Sequence, residues 1–221
     1  MAKSDFQREY LIYAIEALRI HFRDRNNVYV SGNLFIYYEQ DNPKAVVVPD
    51  VFVVMGAPNH DRPSFNLWEE PKGPDFVLEI LSQSTRGEDQ NAKRRIYAHL
   101  GVREYWQYDP IGAYLDPPLQ ALQLIDRNYW PLRGNPEGSS LHSKALGLGL
   151  RLEEGALRFY DSHTREKLRS HLETEQAWLE AEQARLEAET HVAWEKTLRR
   201  IAEARLAELE AQLRGTGGPE I

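Results

Sequence analysis

The 221-residue chain carries 34 Asp and Glu against 27 Lys and Arg, a net charge of −7, and contains no cysteine. That balance removes the overall positive field with which a protein coats nucleic acid, although a local basic groove is still allowed. Disulfides and thiolate metal sites are excluded outright, and no apolar run reads as a signal segment or a membrane span, so the expectation is a cytoplasmic protein with no membrane partner.

Residues 5 to 22 place Phe6, Tyr10, Tyr13, Ala14, Ala17 and Leu18 at helical spacing, with Ser4 or Asp5 as N-cap. The next stretch, VYVSGNLFIYYEQDNP, alternates β-branched and aromatic residues around Ser31-Gly32-Asn33 and reads as two short strands or one kinked strand. Residues 45 to 54 form an apolar strand with Asp50 in its middle. Pro49 removes a ladder donor there, so a bulge or an edge is expected, and a bulge would re-aim Asp50 off the sheet. Met55 to Pro74 is polar and proline-rich, a long surface loop. Residues 75 to 82 give a strand that carries Glu79.

Thr85 followed by Glu88 is a capping-box pattern, which starts a helix near Arg86 and runs it to Leu100, with Gly101 as the C′ residue. Asp89, Lys93 and Tyr97 fall four apart on one face of that helix. Residues 103 to 109, 119 to 125, 129 to 132 and 148 to 160 read as further strands and turns, with Tyr105 and Trp106 as core aromatics. The seven histidines show no ligand spacing, and GLGL at 147 to 150 lacks a phosphate-loop context. From Thr164 to Arg214 there is neither proline nor glycine, and Ala, Leu, Glu and Arg dominate, as in a long helix. Leu172, Leu179, Leu186 and Ala193 repeat every seven residues. Leu206 and Leu213 follow a second phase, so a stutter or a break is expected near Trp194 to Arg200. The organisation expected is a globular domain over 1–163, a charged helix over 164–214 that self-associates as a coiled coil, and a flexible tail over 215–221.

Two acids on apolar strands stand out, because a strand charge is costly unless it is paired or binds metal. Mg²⁺, or Mn²⁺ in its place, takes oxygen ligands and needs only one or two protein carboxylates when waters and substrate phosphate complete its shell. Asp50 and Glu79 could supply them, and Lys93 could orient an attacking water and offset phosphate charge. These are the parts needed to hydrolyse a phosphodiester. The same residues also allow Asp50 as a plain turn residue after Pro49, and Lys93 as a solvated lysine in a basic run.

The blocks VVVPDVFVV, PDFVLEILSQST, EDQNAKRRIY and GVREYWQYDP resemble the Uma2 family of restriction-endonuclease-like proteins, in the PD-(D/E)XK nuclease superfamily. The resemblance covers roughly residues 5 to 161. It implies an α/β fold with a restriction-endonuclease-like core, a mixed central sheet flanked by helices, followed here by the long C-terminal helix. It also implies a Mg²⁺-dependent endonuclease acting on DNA, as a homodimer or higher homo-oligomer. Asp50 then matches the first acid and Glu79 the second. The superfamily lysine position holds Leu81, so Lys93 from the following helix is the expected replacement. The main-chain carbonyl of Ile80 is a further expected ligand, Asp89 and Tyr97 are expected to support the site, and Arg86, Arg94 and Arg95 to contact phosphate. Relatives carry an N-terminal Tyr-Glu segment that is absent here; Glu16 and Glu39 are the acids of that region, read as a surface helix residue and a strand-end charge. A fold of this kind that no longer cuts would instead serve as an oligomerising adaptor for nucleic acid or protein.

Overall fold

The computed structural model describes residues 5–82, 88–132, 134 and 140–215. By contacts the chain forms two units, Met1–His171 and Leu172–Ile221. Thr85, Arg86 and the capping box lie outside the described residues, as do the side chain of Asp89 and the expected tail beyond Gly215.

The first unit is built on a six-stranded sheet in the order β1-β4-β6-β7-β8-β9, comprising Val28–Ser31, Val51–Met55, Phe76–Ile80, Glu104–Tyr108, Leu119–Ile125 and Asn128–Pro131. The β6–β7 pair is parallel and the rest are antiparallel, so the sheet is mixed. Period-two alternation splits its side chains between two cores. On one face Val51, Phe76, Leu78 and Trp106 pack with helix α1 (Asp5–His21) and with a hairpin sheet of β10 (Leu141–Ser143), β11 (Leu148–Glu153) and β12 (Ala156–Asp161). On the other, Phe52, Val77, Tyr105 and Tyr129 pack with helix α2 (Glu88–His99) and with a small sheet of β2 (Ile36–Tyr37), β3 (Val46–Val47) and β5 (Phe65–Asn66). This is the α/β architecture with helices on both sheet faces. Tyr105 and Trp106 are fully buried strand aromatics, as their sequence context implied.

Several elements differ from expectation for identifiable reasons. The strand read over 45–54 is two strands, β3 and β4, that belong to different sheets. The chain changes sheets at Pro49, which has no N–H to give a ladder, and the Pro49 carbonyl accepts from Asn33 N at 3.0 Å instead. Asp50 therefore sits on the bend before β4, not within a strand. The loop from 55 to 74 contains β5 and is tied down by Arg62. That guanidinium is buried against the Tyr29 ring, 4.1 Å from its centroid, and forks onto both Glu70 oxygens. Strand β10 carried too little apolar pattern to be read. Gly147 is the turn that GLGL suggested, while 148–150 belong to β11.

Helix α2 ends as expected: Gly101 has φ +75, and Val102 N donates to Tyr97 O at 3.0 Å. The C-terminal helix α3 spans His171–Gly215, 45 residues, and starts seven residues later than its composition implied. Residues 161–168 stay with the domain. The Asp161 carboxylate accepts from His163 N and Thr164 N, Lys167 bridges to Tyr160, and Leu168 N donates to Phe159 O. Within its own unit α3 is continuous through 194–200, so the phase change in its apolar pattern is a stutter and not a break. Among the described residues no helix is long and apolar enough to cross a membrane.

Candidate active site

The register of the central sheet brings the two acids together. β4 and β6 pair with Val51 opposite Leu78 and Phe52 opposite Val77. One step further along this antiparallel pair, Asp50 falls opposite Glu79. Both share the parity of Phe52 and Val77, so both face α2. On α2, Lys93 and Tyr97 lie one turn apart and point back at the same place. Lys93 Nζ meets Glu79 Oε2 at 3.0 Å, and Tyr97 Oη donates to Glu79 Oε1 at 2.6 Å. Lys93 also donates to the Val48 carbonyl at 3.0 Å, on the segment that leads into Asp50.

Both carboxylates are buried, at 7% exposure for Asp50 and 6% for Glu79, and their surroundings differ. Asp50 Oδ2 accepts the main-chain N–H of Ile80 at 2.7 Å, which fixes the bend to the end of β6. Glu79 is pushed up to about 7 by burial first and by the charge of Asp50 second; the Lys93 charge and the hydrogen bonds from Tyr97 and Lys93 offset this in part. Burial and the Glu79 charge hold Tyr97 well above the usual phenol range, so it remains an O–H donor.

Among the described residues, Lys93 is the cation that meets Glu79. Two buried oxygen-donor side chains on facing strands fit a hard divalent cation, which would lower the repulsion that raises Glu79. Among the described residues no group of three or more His, Asp or Glu is placed to hold a metal. Among the described residues, the carboxylates brought together at this point are Asp50 and Glu79. The Ile80 carbonyl, the expected further ligand, accepts from Gln7 Nε2 at 2.7 Å. A carbonyl oxygen has two acceptor sites, so this contact orients the group without using it up.

Three contributors had no readable signal. Gln7 is 3% exposed on α1 and reaches the site from the first-core side. Gln107 stands directly beside Glu79 in the β6–β7 register and has the same parity. Gly32 was read as a plain strand break. Its missing Cβ is what lets Asp50 sit where it does, because a methyl there would collide with the Asp50 carbonyl oxygen and lie 2.7 Å from Ile15 Cδ1. Gly32→Ala is expected to cost about 1–3 kcal/mol through forced backbone movement and to weaken divalent-metal binding as Asp50 shifts. Thermal melting with a parallel Mn²⁺ titration checks this, and an unchanged melt would refute the close-approach argument.

The other sequence candidates lie elsewhere. Glu16 accepts from His171 N at 3.3 Å and Glu39 from Asn42 at 2.7 Å, so neither joins the site. Arg94 and Arg95 leave α2 on the flank away from Glu79; Arg94 Nη2 donates to Tyr129 O at 3.1 Å.

The Uma2 family, described as "Putative restriction endonuclease", matches residues 2–153. No curated protein matches. Among solved structures, one from Anabaena variabilis, described as "a putative nuclease belonging to DUF820", is 14% identical and covers 71% of this chain and 76% of its own, with a TM-score of 0.42. That likeness is too loose to bear on function.

Proposed function

The chain belongs to the Uma2 family, and on that premise we propose that it is a metal-dependent endonuclease that hydrolyses DNA phosphodiester bonds. The observation that carries this reading is the meeting of Asp50, Glu79 and Lys93 at one buried point on the α2 face of the sheet. In it, Asp50 and Glu79 would hold Mg²⁺ or Mn²⁺, with the Ile80 carbonyl as a further ligand. The bound cation supplies Lewis acidity and a more acidic water. Tyr97 keeps Glu79 in one orientation by donating to Oε1. Lys93, 3.0 Å from Glu79 Oε2, would donate to the phosphate or to the attacking water. Asp89, four residues before Lys93, is proposed to support that lysine, and Arg86 to contact phosphate. Nicking of supercoiled plasmid tests the reading. Cleavage that needs Mg²⁺ or Mn²⁺ and is lost in Asp50→Asn is expected; cleavage that survives in a clean preparation of that variant refutes the site.

A second reading is favoured by one feature: both Glu79 oxygens already have protein donors, Lys93 and Tyr97. A site satisfied without metal is what a non-cutting, oligomerising adaptor for nucleic acid or protein would keep. Metal binding at Asp50 and Glu79 separates the two readings.

Self-association is assigned to α3. This 45-residue helix, about 68 Å long, exposes Trp178, Leu179, Leu186, Trp194, Ile201 and Leu206 by roughly half or more. Many large apolar side chains left in water along one helix need a partner surface, and a second copy of the helix supplies one. Truncation after Ser170, which spares the 161–168 contacts with β12, is expected to lower the oligomer size in light scattering. Equal stoichiometry with and without α3 would remove this role.

A further inference from the structure

On the flank of α2 away from the carboxylates, the helix and the β8–β9 turn enclose a groove of about 810 Å³. It is lined by Arg94, Arg95 and Arg127, by Asn91 and Asn128, and by Tyr129 at its base, with two alanines and no acid among the described lining residues. Three guanidinium groups around one groove run against a chain whose net charge is −7. Among the described residues Arg95 and Arg127 have no carboxylate partner. The turn that presents Arg127 is itself unusual. Asp126 and Arg127 form a two-residue hairpin loop with φ of 48 and 62, conformations that favour Asn-Gly or Asp-Gly, yet an arginine occupies the second position. Arg94 is steadied by its bond to the Tyr129 carbonyl.

We propose that this groove binds the phosphodiester backbone of DNA and holds one strand beside the carboxylate site. Guanidinium forks match phosphate oxygens, and the asparagines add neutral donors. A peptide partner would need apolar anchor pockets, and the described apolar lining of the groove is two alanines and a buried tyrosine. Lys93 leaves the same helix one residue before Arg94 and points toward Glu79. The base of the groove on β9 lies three strands from Glu79 on β6, roughly 14 Å at the spacing of strands in a sheet, or about four nucleotides of rise along one duplex strand. The identity of the polyanion rests on the nuclease reading; the charge and shape of the groove do not.

The test uses the full chain in EDTA, so that no cleavage intervenes, with a fluorescent DNA duplex titrated at several NaCl concentrations and polyglutamate as competitor. Arg95→Ala/Arg127→Ala is expected to bind on the order of 10- to 100-fold more weakly at low salt, with a log–log salt slope shallower by about two. Its Mn²⁺ titration and thermal melt should match the parent's. Equal affinity and slope in parent and variant would overturn the proposal, as would a parent that does not bind duplex. Polyglutamate displacing the duplex with the same arginine dependence would assign the groove to an acidic protein instead. Cleavage that persists while the groove variant binds normally removes the groove and leaves the nuclease standing. Groove binding without any metal binding removes the nuclease and leaves a DNA-binding fold.

Discussion

Replacing Glu79 by glutamine is expected to raise the melting temperature above pH 7 and, in the same protein, to abolish divalent-metal binding. Glu79 has its folded value raised to about 7 from an ordinary 4.5. Below 4.5 the carboxyl is protonated in both the folded and the unfolded chain, and it costs nothing. Between 4.5 and 7 the folded chain keeps the proton that the unfolded chain has lost, so stability falls as pH rises. Above 7 the buried charge is present in the fold and its cost is complete. Glutamine removes that cost; its oxygen accepts from Lys93 and its amide N–H donates to the Tyr97 hydroxyl oxygen, which turns from donor to acceptor. The value of about 7 already includes the attraction of Lys93, and the gain at pH 8 is on the order of 3 kcal/mol. It should vanish at pH 4. Melting curves at the two pH values decide the matter, and a Glu79→Gln protein no more stable than its parent at pH 8 contradicts it. A residue that weakens the fold where metal binding needs it charged is hard to explain as structural.

Lys93→Met separates binding from chemistry. The lysine competes with a cation for Glu79 Oε2, so its removal is expected to leave Mn²⁺ affinity unchanged or tighter. Cleavage should fall by roughly 100- to 1,000-fold, the several kcal/mol expected for a charge placed at the reacting phosphate. The variant also loses a donor to the Val48 carbonyl, so a modest loss of stability is expected and must be measured beside the rate. Weaker Mn²⁺ binding together with normal cleavage would make Lys93 a structural lysine and leave the attacking water without a nearby cation.

The central sheet and α2 were legible because their signals are local: apolar runs between turn residues, and a helix closed by Gly101. The pairing of Asp50 with Glu79 was also within reach, since both acids interrupt apolar runs. What the sequence could not yield was the reason Asp50 projects toward α2. That depends on the chain leaving one sheet at Pro49 and on the space beside Gly32, which are contacts between segments far apart in sequence. Gln7 was illegible for the same reason: it contacts Ile80, 73 positions away. The start of α3 was misjudged because composition favours helix from Thr164, whereas the Asp161 turn and the Tyr160–Lys167 bridge hold those residues to β12. Arg127 gave no signal as a site residue, because only the hairpin brings it to the basic flank of α2.

The most direct measurement is a calorimetric titration of Mn²⁺ into the parent and into Asp50→Asn, followed by plasmid cleavage with the same samples. Asparagine keeps an acceptor for Ile80 N and so spares the fold, where alanine would leave that buried N–H unpaired. The expected result is Mn²⁺ binding and nicking by the parent and neither by the variant. Equal binding in both proteins, or none in either, would contradict a metal site at Asp50 and Glu79.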